Sequence, residues 1–173
     1  YGMARDHVLG LEVVLADGTV IDGMNTMLKN NAALDLKHLF IGTEGLLGII
    51  TRCVLRLHPL PPAKETAFVG CGGTEDVIGL LRMTRATLGP MLSSFEVMWP
   101  SFFDFMSEGT GLGSPLTEQH GAYIIIEATG FDTEGTRTGL ESLLEKALEE
   151  GLVDDGVIAN SVKEERALWA VRE

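Results

Sequence analysis

Basic residues are scarce: 13 Lys and Arg stand against 25 Asp and Glu, a formal net charge of -12 at pH 7. No polybasic cluster occurs, so neither a nucleic-acid backbone nor an anionic bilayer is an expected partner. Cysteine is scarcer still. Cys53 and Cys71 stand alone in strand-like surroundings without CxxC spacing, which excludes a disulfide framework and reads as two buried thiols in a reducing compartment. Cytoplasm is the expectation. No apolar run approaches the ~18 residues that a membrane-spanning helix needs, and no secretory signal is visible. The four histidines, His7, His38, His58 and His120, share no helix face and no ligand spacing, so no metal site is suggested within this chain. A nucleophile elbow and a phosphate-gripping lysine loop are also missing.

What is present suffices for one ordinary domain or two small ones: 173 residues, 45% of them apolar. The chain opens on Tyr1 and stops at Glu173 inside the helix-like run "SVKEERALWAVRE", and is expected to be a piece of something longer.

Residues 7–22 read as two strands joined by a two-residue turn at Asp17-Gly18. Residues 35–40 read as a helical turn with Asp35 as its cap, and 48–59 as a half-buried strand. On that strand, alternation places Ile50, Arg52 and Val54 on one face and Ile49, Thr51, Cys53 and Leu55 on the other. "HPLPPAKE", with three prolines in four residues, marks a boundary. Beyond it the elements run strand (65–72), helix (74–89, capped by Thr74), strand (92–99), short helix (100–109), strand (121–130), helix (132–151) and strand (153–160). Setting the short helix aside, this is the ferredoxin-like order, with two helices on one face of an antiparallel sheet. In the second long helix Leu140, Leu143, Leu144, Ala147 and Leu148 form the core stripe, and the glutamates opposite a solvated face. The fold class is α+β.

The stretch that invites a chemical reading is "LFIGTEGLLGIIT", residues 39–51. It carries Gly42, Gly45 and Gly48 around Glu44, with no Lys, Arg, His or Cys. A tight turn feeding a strand is one reading; a bare peptide surface for a flat ligand is the other. Here "YGMARDHVLGLEVVLADGTVI" and "LKNNAALDLKHLFIGTEGLLGIITRCVLRLHPLP" resemble FAD-linked oxidases of the vanillyl-alcohol oxidase fold. The resemblance is to the D-2-hydroxyglutarate, D-lactate and glycolate dehydrogenase (glycolate oxidase) group. It departs at Ala33-Leu34, where that group has Gly-Tyr.

The resemblance implies that residues 1–59 are the second half of an FAD-binding domain and 60–173 a truncated ferredoxin-like substrate cap. It implies FAD as cofactor, with Gly42, Glu44, Gly45, Gly48, Ile49 and Ile50 on the cofactor side. Glu44 either joins that surface or anchors the turn as an inward carboxylate. "ALWAVRE" is similar to the group's "LWxxRE", which implies that Arg172 binds a substrate carboxylate; on the residues alone it is a helix-end arginine paired with Glu165 or Glu173. The implied substrate is a small 2-hydroxy acid, oxidised by hydride transfer to flavin. The catalytic base, the pyrophosphate loop and a possible divalent metal would belong to residues outside this chain. A non-catalytic ferredoxin-like binding or assembly module is the alternative.

Overall fold

The computed structural model describes residues 2–32, 34–110 and 113–172, the side chain of Thr110 excepted. Ala33 of the Ala33-Leu34 departure, Gly111 and Leu112, and Glu173 as an alternative partner of Arg172 lie outside the described residues. The chain divides into two compact units, Tyr1–Leu60 and Pro61–Glu173.

The first unit holds α1 (Ala4–His7), β1 (Val8–Val14), β2 (Val20–Gly23), α2 (Lys37–Phe40) and β3 (Ile49–Leu55). Its strands form an antiparallel sheet in the order β2-β1-β3. The β1–β2 connection is three residues, not two. Leu15 N–H donates to Thr19 O at 2.8 Å and Gly18 N–H to Leu15 O at 3.0 Å, and of Asp17 and Gly18 only Gly18 takes positive φ, at 84°. A turn followed by one left-handed glycine is the standard three-residue hairpin, and it spares Asp17 the positive angle that a two-residue turn demands. Asp35 does not cap α2; Leu36 holds that position and Asp35 pairs with Lys37.

The expected alternation on β3 also fails, and the register shows why. Glu12 faces Arg52 while Val13 faces Ile50, so Thr51 is an extra residue opposite β1. Its hydroxyl donates to the Glu12 carboxylate at 2.8 Å. This bulge puts Ile50 and Cys53 on the face of Leu11 and Val13, and Ile49 and Arg52 on the other. β3 is an edge strand and is exposed at every position but Val54, so it is not half-buried and Cys53 is not a buried thiol. The unit's small core is Leu11, Val13 and Phe40, flanked by Val8, Leu15, Ile21 and Ile41.

The second unit holds β4 (Ala63–Cys71), α3 (Thr74–Leu88), β5 (Leu92–Met98), α4 (Pro100–Thr110), β6 (Ala122–Gly130), α5 (Thr133–Glu149), β7 (Asp155–Ile158) and α6 (Val162–Trp169). The sheet order β5-β6-β4-β7 is antiparallel throughout and is the ferredoxin-like order. α3 begins at Thr74, but its cap position is Gly73 with no side-chain cap bond; α5 is capped by Asp132, which accepts from Gly135 N–H at 3.0 Å. Val77, Leu80 and Met83 of α3 and Leu140, Leu143, Leu144 and Ala147 of α5 pack on Ala67, Val69, Ile124 and Ile126. Leu148, read as part of the α5 stripe, is half exposed on its flank.

The opposite sheet face is covered as well. Phe68, Met98, Tyr123 and Ile125 pack with Phe103 of α4 and with Leu168 and Val171 from the chain's last turns. β6 is therefore buried on both sides, which is what its unbroken apolar run "AYIII" requires.

Candidate functional site

In the first unit, Thr43, Glu44, Gly45 and Leu46 make a turn closed by Leu46 N–H on Thr43 O at 3.0 Å. Both central residues have positive φ, Glu44 at 52° and Gly45 at 86°, the signature of a primed turn. Gly42 precedes them at 85°. Glu44 is the single non-glycine residue with positive φ among those described, and it is exposed rather than turned inward. The anchor of the turn is Thr43, whose Oγ1 donates to Phe40 O at 2.9 Å.

The six residues assigned to the cofactor side divide between two faces. A Cβ on Gly48 would meet Val13 Cγ1 at 2.6 Å and Val14 O at 3.1 Å, so that glycine permits close packing on β1. Ile50 shares the Val13 face. A Cβ on Gly45 would instead touch Ile49 Cδ1 at 3.5 Å, and Gly42, Glu44, Gly45 and Ile49 are all exposed together with Leu46 and Leu47. The wall is open to solvent, built on two of the three glycines. The same unit holds a cavity of about 210 Å³ lined by Leu11, Val13, Leu34, Leu36 and Phe40 among others, and the six assigned residues are outside its lining.

In the second unit, α6 brings Arg172 to the sheet. Ser161 caps α6 by accepting from Glu164 N–H, and Arg172 N–H donates to Trp169 O at 2.8 Å, which fixes the last turn. Glu96 of β5 lies opposite Ile125 and Glu127 of β6 opposite Ser94, so both carboxylates sit on the face that α6 covers. Arg172 Nε donates to Glu96 Oε2 at 3.1 Å, and its guanidinium lies 5.9 Å from the Phe102 ring centroid. Its described partner is thus neither Glu165 nor any residue near in sequence.

Glu127 is a buried carboxylate with three partners. Trp169 Nε1 donates to it at 3.2 Å, Ser93 Oγ at 3.1 Å, and Lys64 Nζ lies 3.5 Å away. Lys64 also pairs with Glu165. That carboxylate first, with Glu127 behind it, holds the ammonium above its ordinary range against the opposing effect of burial. Lys64, Glu127, Glu165 and Trp169 border a polar recess of about 640 Å³ that also includes Ser94 and Arg166. Glu96, Glu127 and Lys64 carry no local motif, and the one available hint was a glutamate ending an apolar strand run at Glu127, where a buried charge demands partners.

Among the described residues, no three His, Cys, Asp or Glu side chains converge as a metal site. Burial, aided by the charges of Asp154 and Asp76, pushes the Cys71 thiol up to about 12, which makes it inert.

Residues 60–173 match the family described as FAD linked oxidases, C-terminal domain. Over its whole length the chain is 41% identical to the mitochondrial D-2-hydroxyglutarate dehydrogenase of Bos taurus, covering 32% of that protein. It is 36% identical to a putative mitochondrial D-lactate dehydrogenase of Schizosaccharomyces pombe, covering 33% of it. The chain therefore spans about a third of the length of the curated relatives it matches. p-Cresol methylhydroxylase with substrate bound superposes with a TM-score of 0.65 over 95% of this chain and 37% of its own, at 16% identity, which shows a shared fold. That fold is the vanillyl-alcohol oxidase type. The cytoplasmic expectation is overturned, since both relatives are named as mitochondrial. Two cysteines without disulfide spacing do not distinguish one compartment from another.

Proposed function

Because the chain belongs to the family of FAD-linked oxidases through residues 60–173, we propose that the protein carrying it oxidises a D-2-hydroxy acid, with Arg172 holding the substrate carboxylate. The observation that carries this reading is likeness along the entire chain to a D-2-hydroxyglutarate dehydrogenase, at 41% identity. Residues 1–59 are assigned to the end of the flavin domain and 60–173 to the substrate cap. The oxidation takes a proton from the hydroxyl and a hydride from the carbon that bears it, leaving a 2-oxo acid. When bound, FAD supplies the two-electron sink for that change.

The first unit suits such a group. The exposed primed turn presents peptide edges at Gly42 and Gly45 beside apolar Leu46, Leu47 and Ile49, a surface fit for a planar ring system. Gly42, Glu44, Gly45 and Ile49 are assigned to the cofactor side, Gly48 to backing that wall against β1, and Ile50, itself exposed, to the other face of the sheet. Arg172 offers a planar fork that matches a carboxylate with two parallel hydrogen bonds, and a fixed carboxylate orients the neighbouring carbon. No base is assigned among the described residues.

The test uses the full-length protein. It should purify yellow, with a flavin absorption band, and reduce a dye acceptor with D-2-hydroxyglutarate, D-lactate or glycolate. Arg172→Ala should raise KM for the best of these by ~10-fold or more, the loss of a charge-assisted pair. A colourless protein without turnover would favour a binding or assembly module, and unchanged kinetics in Arg172→Ala would remove that residue from the site.

A further inference from the structure

Resting on the assignment of Arg172 to the substrate carboxylate, we propose that Glu96 is the positioning residue for that arginine and decides which edge of its guanidinium meets the substrate. Three separate elements hold the side chain. β5 supplies Glu96, which accepts from Nε at 3.1 Å; α4 supplies Phe102, whose ring centroid lies 5.9 Å from the guanidinium carbon; and the turn after α6 fixes the Arg172 backbone through Trp169 O. That turn is itself pinned to the sheet, because Trp169 Nε1 donates to the buried Glu127 carboxylate on the adjacent strand. Two carboxylates on neighbouring strands thus grip Trp169 and Arg172 of "LWAVR".

A guanidinium can engage a carboxylate with two parallel bonds either through Nε and one Nη or through its two Nη groups. Glu96 occupies Nε, so the Nη1–Nη2 edge is the one it turns outward. Nothing local in the sequence announces this role. Glu96 and Arg172 are 76 positions apart, and only the pairing of β5 with β6 puts the carboxylate on the face that the chain's end crosses.

Positioning has a sign that simple charge does not. A carboxylate beside Arg172 weakens the arginine's pull on an anionic substrate, so if Glu96 only neutralised charge, its removal would lower KM. If it holds the guanidinium in place, its removal raises KM, because a flexible side chain must be ordered again in each encounter. In the full-length enzyme, Glu96→Ala should raise KM about 5- to 10-fold with kcat within about twofold. Glu96→Gln, which keeps the acceptor and loses the charge, should bring KM back to or below the wild-type value. In an Arg172→Ala background, Glu96→Ala should add nothing to KM, since the two residues act as one.

Flavin content and melting temperature of each variant identify those that fold, and Glu96→Gln supplies the comparison if Glu96→Ala does not. A KM that falls or stays constant in Glu96→Ala while Arg172→Ala raises it would overturn the positioning role alone, as would additive effects in the double variant or a Glu96→Gln protein as impaired as Arg172→Ala. Normal KM in Arg172→Ala removes both this role and the reading beneath it.

Discussion

Glu44 occupies a backbone position that costs an L-residue about 1–2 kcal/mol, in a turn where Gly45 meets the same demand without penalty. Glu44→Gly relieves that strain but frees the unfolded chain, so a net gain of at most ~1 kcal/mol is expected in thermal melts. If Glu44 belongs to the cofactor wall, the same variant of the full-length protein should bind FAD less tightly despite being no less stable. Gain in stability without any loss of FAD affinity would strike Glu44 from the wall. The two cysteines make a second residue-scale prediction. With Cys71 raised to about 12 by burial and Cys53 exposed on β3, a thiol reagent at pH 8 should modify one thiol per folded chain and the second only on unfolding. Two fast-reacting thiols would contradict the burial of Cys71. At this scale the sequence revealed which residues were unusual, since Gly42, Gly45 and Arg172 stood out from spacing or resemblance. It could not reveal their partners: Glu96 reaches Arg172 across 76 positions, and Gly48 meets Val13 through strand pairing.

Elements fared better where period and length decide. The α5 stripe follows helical spacing, whereas the cover on the second face of β6 was no part of the expected order, although its continuous apolar run suits burial on both faces. β3 misled because one inserted residue, Thr51, reverses the alternation downstream of it, and a bulge leaves no mark on composition. α5 offers a direct check on capping: Asp132→Ala removes the side-chain acceptor for Gly135 N–H and should cost about 1 kcal/mol in chemical denaturation. α6 has a pH signature. Pairing with Glu165 and Glu127 raises Lys64 above its ordinary value of 10.5, so this contribution to stability is complete below that value and is lost as pH rises through the folded one. Above about pH 10.5 the wild type should therefore lose stability more steeply than Lys64→Met, with parallel slopes below it, read by urea midpoints at each pH. Parallel slopes above it as well would show that Lys64 does not hold α6.

At the scale of the whole chain, the two units differ in how much core each possesses. The first rests on Leu11, Val13 and Phe40 and leaves Leu46, Leu47, Ile49 and Leu57 exposed; the second buries both faces of a four-stranded sheet. A unit of some sixty residues with so small a core is marginal. Residues 61–173 alone are expected to unfold cooperatively, and limited proteolysis of the whole chain should cut first in the exposed run 56–60, leaving the second unit intact. An isolated second unit without cooperative unfolding would refute this division. The sequence by itself determined the α+β class, the ferredoxin-like element order and the proline-rich boundary, because periodicity, turn residues and chain stiffness act over a few neighbouring positions. Only tertiary structure decided which faces are covered, that Glu127 is buried against Trp169 and Lys64, and that Glu96 grips Arg172. Those contacts depend on strand order and register, and both follow from how distant apolar surfaces are removed from water together.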